Sequence, residues 1–143
     1  VQFFKLNALY ERNGFDLSNY TLVRLARWAW KKQNREADAK KIYTFILEER
    51  KATGEPAGFA LVDMGNLDST SDAPEIRQRA FDMYSRVLNE TDNPSLVEEA
   101  MLGMARIRTR EKNHEEALAL WKTYLKDRSR NMARHEDNYQ YGY

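Results

Sequence analysis

The sequence predicts an all-α protein, an α-solenoid of about three antiparallel helical hairpins led by one further helix. Three observations carry that expectation. No segment alternates apolar and polar residues in the way a half-buried strand requires. Apolar residues recur instead at helical spacing in one segment after another. And one phrase, a small residue followed by an aromatic four positions on and leucine four after that, occurs three times. Its copies are Ala39–Tyr43–Leu47, Ala80–Tyr84–Leu88 and Ala117–Trp121–Leu125, separated by 41 and then 37 residues. A recurring unit of that size signals stacked hairpins, because one hairpin alone cannot bury its apolar stripe. The small residue lets two helices approach, and the ring one turn on fills the space beside it.

The helices follow in chain order, seven in all. Val1–Arg12 places Phe4, Leu6, Leu9 and Tyr10 in near-helical spacing and stops at Asn13-Gly14. Asn19–Gln33 carries Leu22, Val23, Ala26, Ala29 and Trp30, with Asp16 or Ser18 available as its N-cap. Glu36–Arg50 shows Ala39, Ile42, Tyr43, Ile46 and Leu47, and Thr53-Gly54-Glu55-Pro56 is expected to break the chain after it. A shorter helix, Ala57–Leu67, ends in the turn-forming run Asp68–Asp72. Asp72 and Glu75 have capping-box spacing around Pro74, ahead of Ala80, Met83, Tyr84, Val87 and Leu88. Thr91–Pro94 makes the next break, and Ser95 with Glu98 offers a second box before Leu96–Arg110. Asn113 and Glu116 open the last helix, with Ala117, Leu120, Trp121, Tyr124 and Leu125. Residues 130–143 form a polar tail containing Tyr139, Tyr141 and Tyr143, expected to be loosely ordered.

On these residues the chain resembles the tetratricopeptide repeat family, whose helix pairs of about 34 residues carry a W-x₂-L-G-x₂-Y…A-x₃-F…P pattern. The A-x₃-F element matches Ala39/Tyr43, Ala80/Tyr84 and Ala117/Trp121. The first-helix positions fall on Val23, Ala26, Arg27 and Trp30 in the opening unit, and on Met101, Met104, Ala105 and Arg108 in the last. Pro94 suits the terminal proline and Pro56 is displaced. The turn Asp68–Asp72 is longer than the family's. Half-a-tetratricopeptide repeats look similar at Ala39–Tyr43. The resemblance implies one repeat domain over residues 1–129, with units of about 17–52, 55–91 and 94–129. Residues 1–13 would then be the second helix of a truncated preceding unit.

Composition narrows the function classes. Hydrophobic residues make up 42% and charged residues 31% of 143 residues, the balance of one globular domain rather than a disordered chain. No apolar run is long enough to span a membrane. There is no cysteine, hence no disulfide and no thiolate chemistry. The chain opens on Val1 without a charged-then-apolar leader, so it reads as a processed or excised piece, and its compartment, cytoplasmic or periplasmic, stays open. Charge is uneven. Residues 1–54 hold 11 Lys+Arg against 6 Asp+Glu, residues 55–99 hold 3 against 10, and residues 100–143 hold 9 against 6. An acidic middle between basic flanks can steer a charged partner.

No residue pattern supports catalysis. His114 and His135 lack metal-ligand spacing, there is no phosphate loop and no nucleophile elbow. The carboxylate pairs Glu48-Glu49, Glu98-Glu99 and Glu115-Glu116 sit near helix ends, where the helix dipole accounts for several of them. The expectation is a non-enzyme with no cofactor and no metal. By resemblance, the first helix of each unit lines a concave groove. Its positions carry over as Arg24, Trp28, Lys31 and Lys32 in the opening unit and as Leu102, Arg106, Thr109 and Arg110 in the last. In the middle unit the choice among Phe59, Val62 and Asn66 stays open. A basic face with one aromatic suits an acidic or extended peptide. Self-association through the ends of the array is a further expectation. An RNA-processing scaffold, resting on the basic runs Arg106, Arg108, Arg110 and Lys112 and Arg128, Arg130 and Arg134, and a structural subunit of an envelope assembly are the alternatives. The acidic middle opposes a continuous phosphate track, so nucleic acid is the weaker partner.

Overall fold

The computed structural model of the protein describes residues 17–126. Among them are six helices and no strand. They are α1 (Asn19–Lys31), α2 (Glu36–Thr44, running on as a π-helical turn, Phe45–Glu49), α3 (Gly54–Asp68), α4 (Pro74–Glu90), α5 (Pro94–Arg110) and α6 (114–126). The seventh expected helix, Val1–Arg12, the basic run Arg128, Arg130 and Arg134, and the polar tail 130–143 lie outside the described residues. The chain divides into two compact units, Val1–Ala60 and Leu61–Tyr143, and the division falls within α3.

In the first unit α1 packs along α2. Ser18 is the N-cap of α1, its hydroxyl accepting from the Thr21 amide at 3.1 Å. Replacing Ser18 with alanine is expected to cost about 1 kcal/mol of stability in urea unfolding. The helix stops where Asn34 takes a left-handed conformation at φ 53°, and the Arg35 amide reaches back to the Ala29 carbonyl at 2.8 Å. That six-residue bond satisfies a carbonyl the helix end would otherwise orphan. α2 ends alike, with Lys51 at φ 48° and the Ala52 amide on the Ile46 carbonyl. The interface is built from Leu22, Val23, Ala26 and Ala29 of α1 against Ala39, Ile42, Tyr43 and Ile46 of α2, all buried. Arg50 fastens the segment just ahead of α1, its guanidinium donating to the Leu17 carbonyl at 2.8 Å.

α3 begins earlier than the sequence suggests. Gly54, Glu55 and Pro56 form its first turn instead of breaking the chain. Proline is tolerated there because its missing N–H has no partner within the helix anyway. The two other prolines explain the misplaced caps. Pro74 and Pro94 each start a helix, which makes the preceding residue the cap. Neither expected box forms. Ala73 caps α4 without a side chain, the Ser71 hydroxyl accepting from its amide at 3.1 Å, while Asp72 turns to Arg110 at 2.6 Å. Asn93, not Ser95, caps α5, accepting from the Ser95 amide at 3.0 Å. The third expected cap is present: Asn113 accepts from the Glu116 amide at 3.3 Å and its carboxamide donates back to the Glu116 carboxylate at 2.9 Å.

The second unit is organised around Tyr84 of α4, 1% exposed. Its ring lies between two glycines. A Cβ added at Gly65 of α3 would stand 2.6 Å from the nearest ring carbon, and one at Gly103 of α5 would be closer still. The same unit buries Leu61, Val62, Ala80, Val87, Leu96, Ala100, Met104 and Ile107. Two of the small-then-aromatic pairs are internal, with Ala39, Tyr43 and Ala80 fully buried and Tyr84 1% exposed; in the third, Ala117 is 4% exposed but Trp121 is only partly buried. The phrase's final leucine is not a core position. Leu88 is 43% and Leu125 56% exposed. Each lies eight residues past the small position, about 80° beyond two full turns of the helix, which rotates it off the buried stripe.

Candidate binding surface

Helical geometry separates α1 into two faces. Residues 22, 23, 26 and 29 form the buried side, and at 100° per residue positions 24, 28, 31 and 32 point away from it. Arg24, Lys31 and Lys32 are exposed, and Trp28 is 50% exposed. Among the described residues Arg24 and Lys32 make no ion pair, and the Lys31 ammonium lies 5.1 Å from the ring centre of Trp30. The opening-unit residues singled out from the sequence therefore share one solvent-facing strip.

The strip is flanked by aromatic surface that sequence reasoning left undecided. Tyr20 is 47% exposed, and Phe59 of α3 meets its ring edge-on at 6.5 Å. The Arg27 guanidinium sits over Phe59 at 4.9 Å. The Tyr20 hydroxyl donates to the Glu55 carboxylate at 3.2 Å. Partial desolvation, then the negative charge of Glu55 and this hydrogen bond, raise the Tyr20 pKa above its ordinary value. Of the three middle positions, Phe59 and Asn66 are partly exposed and Val62 is fully buried. Seven residues apart, Phe59 and Asn66 lie on one side of α3.

The last-unit positions belong to the other compact unit and behave differently. Leu102 is half-buried and Arg106 exposed. Thr109 is engaged locally, donating to the Ala105 carbonyl at 2.8 Å and accepting from the Trp121 indole at 3.2 Å. Arg110 is held by the Asp72 carboxylate at 2.6 Å and the Ser71 carbonyl at 3.3 Å. Arg108, the centre of the basic run, is turned inward. It donates to Glu111 at 2.7 Å and Gln78 at 3.2 Å, lies 3.1 Å from the Glu116 carboxylate, and stacks on Phe81 at 3.7 Å. Burial weakens its hold on the proton, but the bonds to Glu111 and Glu116 outweigh that and raise its pKa. Arg77 joins the same cluster, 3.5 Å from Glu111. Its fork also ties the Ser71 and Asp72 carbonyls, each at 3.0 Å. These ion pairs fasten the ends of α4, α5 and α6 together.

One polar chain escaped sequence reasoning. The Tyr84 hydroxyl donates to the Asn66 carbonyl oxygen at 2.7 Å, and the Asn66 amide donates to Glu99 at 3.0 Å. Asp63, 3% exposed, is the buried carboxylate of the same unit. Tyr84 stands in the repeated phrase, but no periodic signal marks its partners: Asn66 appears only as one of three middle positions, and Glu99 only as half of a carboxylate pair. Among the described residues no group of three or more His, Asp or Glu is placed to hold a metal ion, and no helix is long and apolar enough to cross a membrane.

Comparison with protein-family models, with curated proteins and with solved structures returns no match.

Proposed function

We propose that the chain is a non-catalytic interaction module of stacked helical hairpins, arranged as in tetratricopeptide repeats, that binds an acidic, extended peptide through Arg24, Trp28, Lys31 and Lys32. The observation carrying this reading is the half-exposed Trp28 in a row of cations on the outer face of α1. An exposed indole is costly to leave in water, and it offers a partner a large rigid contact. The cations beside it supply charge-assisted bonds to carboxylates. Tyr20, Arg27 and Phe59 extend the surface, and Leu102 and Arg106 of the second unit are a further candidate contact. The engagement of Arg108 and Arg110 with Glu111, Glu116 and Asp72 withdraws two cations from the run on which an RNA scaffold would depend.

The test is a fluorescence titration with a labelled glutamate-rich peptide. Arg24→Glu with Lys31→Glu, and separately Trp28→Ala, are each expected to weaken binding at least about tenfold. Unchanged affinity in both variants overturns the assignment.

A further inference from the structure

The basic strip needs an acidic occupant, and the chain itself carries one. Between Arg86 and Arg106 there is no lysine or arginine, while Glu90, Asp92, Glu98 and Glu99 all fall there. This interval is the end of α4, the turn after it and the start of α5. It is also where an apolar residue stands in water: Leu88, in the last turn of α4, is 43% exposed. Asp92, four residues on, is exposed, and Glu99 in the first turns of α5 is exposed with one carboxylate oxygen accepting from the Asn66 amide at 3.0 Å. The first unit offers the opposite combination, with Trp28 at 50% exposure among Arg24, Lys31 and Lys32. One surface pairs an exposed indole with positive charge, and the other pairs an exposed leucine with negative charge.

We infer that the occupant of the α1 strip is a second copy of this chain, whose Leu88–Glu99 segment docks its leucine against Trp28 and its carboxylates against Arg24, Lys31 and Lys32. This inference rests on the binding face proposed above and names its partner. Because the two surfaces differ, the contact is heterologous, and one copy's free strip remains available to the next. Each contact brings a charge-depleted apolar centre together with a charged rim, the usual anatomy of a specific interface. The rim makes the assembly salt-sensitive, since steering and rim pairing fade as the screening length shortens.

The experiment is sedimentation equilibrium of the whole chain over a range of concentrations. It is run at about 0.01 M and about 1 M salt, where the screening length falls from about 30 Å to about 3 Å. Mass should rise with concentration at low salt, and association should weaken at least about tenfold at high salt. Arg24→Glu with Lys31→Glu should be monomeric at low salt, as should Asp92→Lys with Glu99→Lys. An equimolar mixture of the two should associate again, because each supplies the sign the other has lost. Circular dichroism of both variants checks that they fold. If only one double variant folds, Leu88→Ser replaces the failed acidic-side change and Trp28→Ala the failed basic-side change, with loss of association expected in either. A wild-type chain that stays monomeric at low salt overturns the inference, as does association that survives both charge reversals. Binding of a single-stranded RNA oligonucleotide in place of self-association overturns it too. The labelled glutamate-rich peptide, added in parallel, separates the two failures. A monomeric chain that still binds the peptide loses its second copy but keeps its acidic partner, and one that binds neither loses both.

Discussion

Gly103→Ala is expected to destabilise the protein by about 2 kcal/mol in urea unfolding, and the same substitution in a Tyr84→Leu background is expected to be neutral or stabilising. The added Cβ would enter the space of the Tyr84 ring, nearer than carbon atoms tolerate. A flexible side chain would swing aside. Tyr84 has no room to do so: it is 1% exposed, Gly65 is pressed against its other side, and its hydroxyl is held by Asn66 at 2.7 Å. The strain therefore passes to the backbones of α4 and α5. Overpacking of a well-filled core costs about 1–3 kcal/mol, and the better helix propensity of alanine returns up to about 1 kcal/mol. With leucine at position 84 the ring is gone and only the propensity gain remains. Equal costs in the two backgrounds would show that the glycine is not there for the ring.

The two glycines mark the boundary of what the sequence reveals. Helices are legible because burial repeats at the helical period, and Leu22, Val23, Ala26 and Ala29, or Ala39, Ile42, Tyr43 and Ile46, are visible as stripes. The small-then-aromatic phrase is legible for the same reason, and Ala39, Ala80 and Ala117 are inside as it requires. What closes the space around a ring is not periodic. Gly65 and Gly103 come from two other helices, and nothing local in either helix identifies its partner. α3 carries the weakest pattern, since Ala57, Gly58 and the whole run Ala60–Gly65 are buried, and a helix buried on every side has no stripe to read. The caps of α4 and α5 went astray because capping-box spacing fits two starting points, and proline at the first helical position selects between them. At the binding surface, the exposure of Arg24, Trp28, Lys31 and Lys32 follows from their offset from the buried stripe. The inward turn of Arg108 does not, because it depends on Phe81 of α4, Glu111 of the turn after α5 and Glu116 of α6 converging on it.

Alkaline unfolding should isolate the Tyr84 hydroxyl. Burial pushes its pKa up to about 12, with Glu99 and Asp63 adding to the rise and Ser69 and Arg106 opposing it. In the unfolded chain a tyrosine titrates near 10. The folded value is the higher one, so the stabilising contribution is complete below about pH 10 and is lost as pH climbs toward 12. In that window the unfolded chain has released the proton while the native state still holds it, and the loss amounts to about 2–3 kcal/mol. Lysines also titrate there, so the informative quantity is the difference between the wild type and Tyr84→Phe, each unfolded in urea at a series of pH values. At neutral pH the variant is expected to be the less stable by about 1 kcal/mol, because Asn66 loses its donor. Between pH 10 and 12 the gap should close and then reverse, since phenylalanine has no proton to lose. Parallel curves across that range would mean that the hydroxyl meets solvent in the folded protein, and the chain from Tyr84 through Asn66 to Glu99 would then be a surface arrangement with no share in holding α3, α4 and α5 together.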